Sequence, residues 1–373
     1  MGKQKIRVGL IGSGFMGMTH AFGYVTAARV FDLPVEIQLE CVADATPELA
    51  RAAAERFGFH RAVENWRDIV EDSAIDLLDI TAPNRFHKEM ALAGIAAGKH
   101  VYCEKPLATN SRDAEEMADA AEAAGVVTQV GFNYLANPML KLALSMISDG
   151  LLGEIRRFRG IHAEDYMVNA DAPWSWRLES EGGGAFADLG SHVLATAEFL
   201  LGPVDRLFGS LTNSVSHRNG PDGMPIPIEV DDGGHALLRF AGGATGIAEA
   251  NWIATGQKMQ HDFEIYGSRG ALTFSQERLN ELRFYDAAEP GRTRGFRTIL
   301  AAPGHEPYGN FCVAPGHQLG FNDLKAIEIA EFIKAIAGRQ PAPFSFRKGA
   351  GIQSLVDLVR KSSDSMSWLD VPS

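Results

Sequence analysis

At 373 residues the chain has room for two domains, each with its own core, and 46% hydrophobic with 22% charged residues excludes disorder, collagen-like repetition and a coiled coil. A net charge of −12 with no Lys/Arg cluster argues against a nucleic-acid partner. No uninterrupted apolar run reaches about 18 residues, so no membrane span is expected, and Gly9, Gly12 and Gly14 break the stretch that a signal peptide would need.

Short apolar runs at 5–11, 37–43, 59–63, 75–81, 100–103 and 126–131 alternate with amphipathic segments, the form taken by repeated βα units on a parallel sheet. Thr46-Pro47-Glu48 supplies one helix with an N-cap and an N1 proline, and Gly58 ends it; Gly98 and Gly125 close two others. Six strands in this alternation predict a doubly wound Rossmann domain over 1–132. Its ligand belongs beyond the C-terminal strand ends, where Gly12, Asp44, Thr81 and Glu104 fall.

Past residue 132 the runs at 154–163, 235–240, 245–253 and 262–266 are β-rich. Ala241-Gly242-Gly243-Ala244 and Gly267-Ser268-Arg269-Gly270 read as hairpin turns. These features predict a second, α/β domain over 133–373 with an open, mainly antiparallel sheet. The segment 219–227, with three prolines and two glycines, reads as a surface loop. Helical patterns at 320–336 and 350–362 finish the chain, the last helix able to pack back on the first domain. Cys41, Cys103 and Cys312 lack C-x-x-C or zinc spacing and read as reduced core residues of a cytoplasmic protein. No set of His, Cys and carboxylates has ligand spacing, so no metal is expected.

Three constellations can carry chemistry. Gly12-Ser13-Gly14-Phe15-Met16-Gly17 follows an apolar strand and opens a helix, so bare backbone N–H groups can face a pyrophosphate. Asp44 closes the second strand, where its carboxylate can accept the adenosine ribose hydroxyls and repel a 2′-phosphate, favouring NAD over NADP; the alternative is a cap for the next helix. Glu104-Lys105-Pro106 ends a strand, and the amine of Lys105 either projects into a cleft to hold or deprotonate a hydroxyl or forms a solvated ion pair with Glu104. Gly182-Gly183-Gly184 leads into Asp188 and His192, four apart, which share a helix face if the helix has begun by Asp188. A carboxylate beside an imidazole makes a general base; the plainer outcome is a helix cap and a partly buried histidine.

These motifs together resemble the glucose-fructose oxidoreductase/inositol dehydrogenase/MocA family. The resemblance extends to Thr81-Ala82-Pro83-Asn84 with His87, Gly131-Phe132-Asn133, Trp176-Arg177 and Tyr266-Gly267-Ser268-Arg269-Gly270, and so covers nearly the whole chain. It implies Lys105, Asp188 and His192 as the catalytic group and a cis peptide before Pro106. It places the segment 81–87 along the nicotinamide and Arg177 near the substrate. The cofactor set is then Gly12, Gly14, Phe15, Met16, Gly17, Asp44, Thr81, Ala82, Pro83, Asn84, His87, Glu104, Lys105 and Asn133. Lys105, Asn133, Tyr166, Arg177, Asp188, His192 and His317 form the polar set for a hydroxyl-rich substrate, with His317 equally readable as a solvated loop residue.

The expected activity is NAD-dependent oxidation of a secondary hydroxyl of a cyclitol, sugar or related polyol. An inositol 2-dehydrogenase-like reaction comes first and an aldose or anhydrosugar second, with Lys105 or His192 as the formal base. An NAD-dependent glycosidase using transient oxidation and a non-catalytic NAD-binding sensor are the alternatives. An open sheet leaves a face to cover, which predicts a homodimer or homotetramer.

Overall fold

The computed structural model describes residues 3–169, 174–220 and 223–372. The chain divides into two compact units, one of residues 1–136 with 320–353 and the other of 137–319 with 354–373.

In the first unit β1 (Gln4–Ile11), α1 (Phe15–Val30), β2 (Val35–Ala43), α2 (Pro47–Phe57), β3 (Arg61–Val63), α3 (Trp66–Glu71), β4 (Leu77–Ile80), α4 (His87–Ala96), β5 (His100–Glu104), α5 (Ser111–Ala124) and β6 (Thr128–Gly131) succeed one another. The strands pair in parallel in the order β3-β2-β1-β4-β5-β6. Strand order reverses between β1 and β4, and such a reversal opens a ligand crevice at the strand ends. All four residues of β4 and of β6 are buried, as a sheet covered on both faces requires. The punctuation read from the sequence is present: Thr46 accepts the Leu49 N–H at 3.3 Å, and Gly58 and Gly125 adopt left-handed φ of 78° and 63°. Ile75, expected in the fourth strand, gives its side chain to the core. Its carbonyl instead accepts the Lys99 ammonium at 2.8 Å, and the ladder starts at Leu77.

The second unit contains α6 (Pro138–Ser148), β7 (Ile155–Ala163), α7 (Ser191–Leu201), β8 (Val204–Thr212), β9 (His217–Asn219), β10 (Pro225–Pro227), β11 (Gly233–Phe240), β12 (Thr245–Asn251), β13 (Gln260–Gly267), β14 (Gly270–Ser275), β15 (Glu281–Asp286), β16 (Arg297–Leu300) and α8 (Tyr308–Phe311). α9 (Phe321–Gly338) belongs to the first unit, α10 (Phe346–Ser365) has residues in both, and β17 (Leu369–Asp370) ends the second. The nine-stranded sheet runs β16-β15-β14-β13-β7-β12-β11-β8-β17, antiparallel except for β7 with β12. Burial alternates along β11, β12 and β13, and α7 lies on the apolar face, where Gly160 leaves room for Val193. A parallel Rossmann sheet in one unit and an open, mainly antiparallel sheet in the other are the expected pair. The segment read as a surface loop instead contains a ribbon: β9 and β10 pair antiparallel, Arg218 opposite Ile226.

Candidate active site

β1 ends at Ile11, and the chain turns at Gly12, φ +92°, whose N–H donates to Ala43 O at 2.8 Å. A side chain there would crowd the Thr81 carbonyl, and one at Gly17 would overlap the Gly12 carbonyl, whereas Gly14 meets open space. α1 begins at Phe15 without a side-chain cap and without an acid in its first turn, unlike α2 and α5, which Thr46 and Asn110 cap. Its terminal N–H groups are left for an anion, so this loop fits the pyrophosphate of NAD. Phe15 is 67% exposed and stacks on Phe321 at 5.9 Å; Met16, next to it, is half-buried.

Asp44 is tied to that loop. Its Oδ2 accepts the Ser13 N–H at 2.6 Å and the Ser13 hydroxyl, while Oδ1 accepts the Ala45 N–H. Since Thr46 caps α2, the alternative role for Asp44 as that helix's cap is not taken. The Thr81 hydroxyl lies 2.7 Å from the Gly12 carbonyl, fixing the loop to the end of β4. Ala82 and Pro83 are half-buried and Asn84 is buried. His87 is fully buried, its ring nitrogens 2.8 Å from the Ala82 carbonyl and 2.9 Å from the Pro106 carbonyl. Burial pushes its pKa down against the pull of those carbonyls. Its ring therefore joins the 81–84 segment to the turn after Lys105. Asn133, 3% exposed, carries a buried amide nitrogen without a hydrogen-bond partner among the described residues, which suits it to a ligand.

Lys105 leaves β5 half-buried and is joined to Pro106 by a cis peptide, as the resemblance implies. Glu104 is only 6% exposed, so it is not half of a solvated surface pair. Its Oε1 accepts from His20 Nε2 at 2.8 Å and Lys325 Nζ at 2.9 Å, and its Oε2 faces the Lys105 N–H at 3.3 Å. His20 Nδ1 lies 2.9 Å from both oxygens of Asp79. Lys325 also reaches Tyr102 at 2.9 Å and Glu328 at 2.7 Å. Burial alone would raise the pKa of Glu104; Lys325 and then His20 reverse this and hold it below the usual carboxylate range. Burial works against protonated His20 and Lys325 in turn, and Asp79 and Glu104 respectively outweigh it, raising both. His20 has no partner pattern along the chain, because its partners lie 59 and 84 residues away.

In the second unit Asp231 and Arg360 hold the glycine segment, and neither has a local motif. Asp231 accepts the Phe186 N–H at 2.8 Å, Gly184 leaves room for its carboxylate, and Arg360 donates to Gly183 O at 3.1 Å. A π-helical turn, Phe186–Gly190, follows and carries Asp188; α7 then begins, with His192 in its first turn. Such turns are rare and recur at functional sites. Asp188 Oδ2 accepts the Tyr166 hydroxyl at 2.8 Å and Arg177 Nε at 3.3 Å, and the Arg177 guanidinium lies over Trp176 at 4.6 Å. Loss of solvent and the Asp188 charge both keep the Tyr166 phenol protonated. His192 is 5% exposed, its ring 5.4 Å from His162 and 6.0 Å from His261, which are paired across β7 and β13. His317 is exposed ahead of Leu319, and its carbonyl is met by the Cys312 thiol at 3.6 Å. Cys41, Cys103 and Cys312 are buried free thiols, and no helix among the described residues is long and apolar enough to cross a membrane.

Comparison with known proteins follows the same division. Residues 6–132 match the oxidoreductase family with an NAD-binding Rossmann fold, and 140–273 match the GFO/IDH/MocA C-terminal domain. The chain is 36% identical to levoglucosan dehydrogenase of Pseudarthrobacter phenanthrenivorans, over 99% of each protein. A solved levoglucosan dehydrogenase in complex with NADH and levoglucosan superposes with a TM-score of 0.96 at 37% identity, covering 99% of this chain and 100% of that one. An NAD-binding oxidoreductase from Klebsiella pneumoniae does so at 0.94 and 38%, over 99% of each. Myo-inositol 2-dehydrogenase of Thermotoga maritima is 27% identical over 72% of this chain and 74% of its own length. With both of its halves matched, the chain belongs to the GFO/IDH/MocA family of NAD-dependent oxidoreductases.

Proposed function

We propose that this NAD-dependent sugar dehydrogenase takes an anhydrosugar and oxidises one of its secondary hydroxyls to a ketone. The observation that carries the reading is likeness to levoglucosan dehydrogenase along 99% of the chain, at an identity that the inositol dehydrogenases do not reach. Anhydrosugar therefore precedes cyclitol, the reverse of the order read from the sequence.

NAD, when bound, supplies the hydride acceptor. His192 takes the proton of the reacting hydroxyl, and Lys105 hydrogen-bonds the same oxygen and steadies the negative charge that gathers on it. Asp188, fixed by Tyr166 and Arg177, offers a rigid acceptor to a neighbouring sugar hydroxyl and an anionic partner for protonated His192. Asp44 accepts the adenosine ribose hydroxyls beside the loop it holds.

The test is NADH formation from levoglucosan, myo-inositol and glucose, with NAD and with NADP. Levoglucosan with NAD is expected to give the highest kcat/KM, and His192→Ala to lower kcat by about a hundredfold or more. Faster turnover of the cyclitol would overturn the substrate class, and sugar release without net NADH would favour the glycosidase. Unchanged turnover in both His192→Ala and Lys105→Ala would end the mechanism.

A further inference from the structure

Behind Lys105, the first unit buries an ionic cluster drawn from five elements. His20 comes from α1, Asp79 from β4, Tyr102 and Glu104 from β5, Gln129 from β6, and Lys325 and Glu328 from α9. His20, Asp79 and the Lys325 side chain are fully buried. Burying charges in this way is a poor source of stability, since an apolar cluster of equal volume would hold α9 to the sheet as well or better. What the ions supply is direction. Glu104 Oε1 is clamped by two cations, and this leaves Oε2 facing the backbone N–H of Lys105.

The backbone is shaped around this clamp. A Cβ on Gly131 of β6 would overlap the Glu104 carboxylate, and one on Gly23 of α1 would press on Ile329 and lie 3.2 Å from the Lys325 stem. Two glycines thus keep space for the acid and for the lysine that holds it.

We propose that Lys325 and His20 are positioning residues for Lys105: by fixing the Glu104 carboxylate they fix the point where β5 releases the amine. The inference rests on the role given to Lys105 above. It makes α9, far along the sequence, a contributor to catalysis without contact with substrate. A displacement of about 1 Å in a reacting group can lower turnover by about a hundredfold, so small shifts of the carboxylate are expected to register in kcat.

The experiment uses the full chain and compares Lys325→Met, Gly131→Ala and Ile329→Val with the parent. Gly131→Ala keeps every charge and displaces only the carboxylate, so it decides the matter if Lys325→Met, which leaves Glu104 and Glu328 short of a cation, does not fold. Lys325→Met and Gly131→Ala are expected to lose about tenfold or more in kcat, to keep the KM for NAD within about threefold, and to show a larger isotope effect with substrate deuterated at the oxidised carbon. Ile329→Val, a packing change on the same helix, is expected to lower Tm slightly and leave kcat within about twofold. Gly131→Ala folded by circular dichroism with parental kcat and isotope effect would overturn the proposal, because a merely structural cluster would move Tm alone. Lys105→Ala separates the two readings: full turnover in that variant removes the role of Lys105 itself, whereas its loss beside unaffected Gly131→Ala and Lys325→Met removes only the positioning.

Discussion

Asp44 holds the Ser13 N–H and hydroxyl on one oxygen and the Ala45 N–H on the other, yet a carboxylate has about four acceptor positions. The remaining capacity is what a ribose hydroxyl would use. A charge-assisted hydrogen bond contributes about 1.5–3 kcal/mol, so Asp44→Ala is expected to raise the KM for NAD by about tenfold or more while changing that for NADP less. Initial rates with both cofactors check this; an unchanged NAD/NADP ratio would reduce Asp44 to a tether for the loop. The place of Asp44 after the second strand and beside the glycine loop was legible, because the apolar run of β2 ends directly before it. His20, Lys325, Asp231 and Arg360 were not legible. Their roles come from partners brought together by the tertiary fold, and no spacing along the chain encodes them. Glu104 was read correctly as lying at a strand end, but only packing shows that its carboxylate is committed to His20 and Lys325.

The π-helical turn and α7 depend on Asp231, which anchors the backbone N–H of Phe186. Burial pushes the Asp231 carboxyl up to about 6, against the opposing pull of that N–H and of Arg360. A folded-state pKa raised above the unfolded value of 3.8 stabilises the fold fully at low pH, and this contribution fades as pH rises through about 6. Raising the Asp231 carboxyl from 3.8 to about 6 corresponds to about 3 kcal/mol. Asp231→Asn keeps an acceptor for Phe186 and does not ionise. The variant is therefore expected to gain on the parent in Tm between pH 5 and pH 8, and thermal unfolding at both values measures it; a difference in Tm that does not change with pH would contradict this. The parallel strands were read within a few residues because a sheet buried on both faces makes continuous apolar runs. β8, β15 and β16 escaped notice, since Asp205 and Arg206 interrupt the apolar alternation of β8, and Arg283 and Arg297 interrupt that of β15 and β16. The ribbon of β9 and β10 is too short, and its prolines too prominent, to stand out from a loop.

The outward face of the nine-stranded sheet carries Phe208, Leu237, Ile247, Arg159 and Glu264 in one row across five strands, with Leu237 41% exposed. An apolar row edged by an ion pair suits a self-complementary interface, so a dimer or tetramer is expected; light scattering that returned a mass near 40.3 kDa would refute it. The first unit also has a history that its final shape conceals. Lys325 meets Glu104 across 221 residues, so the whole of 137–319 is synthesised before the cation that completes the buried cluster exists. Until then His20, Asp79 and Glu104 lack the Lys325 ammonium that meets Glu104 in the folded chain. Neither unit is therefore complete until the last segment of the chain is made, 320–353 finishing the first and 354–373 the second, so a chain cut short before α9 lacks parts of both.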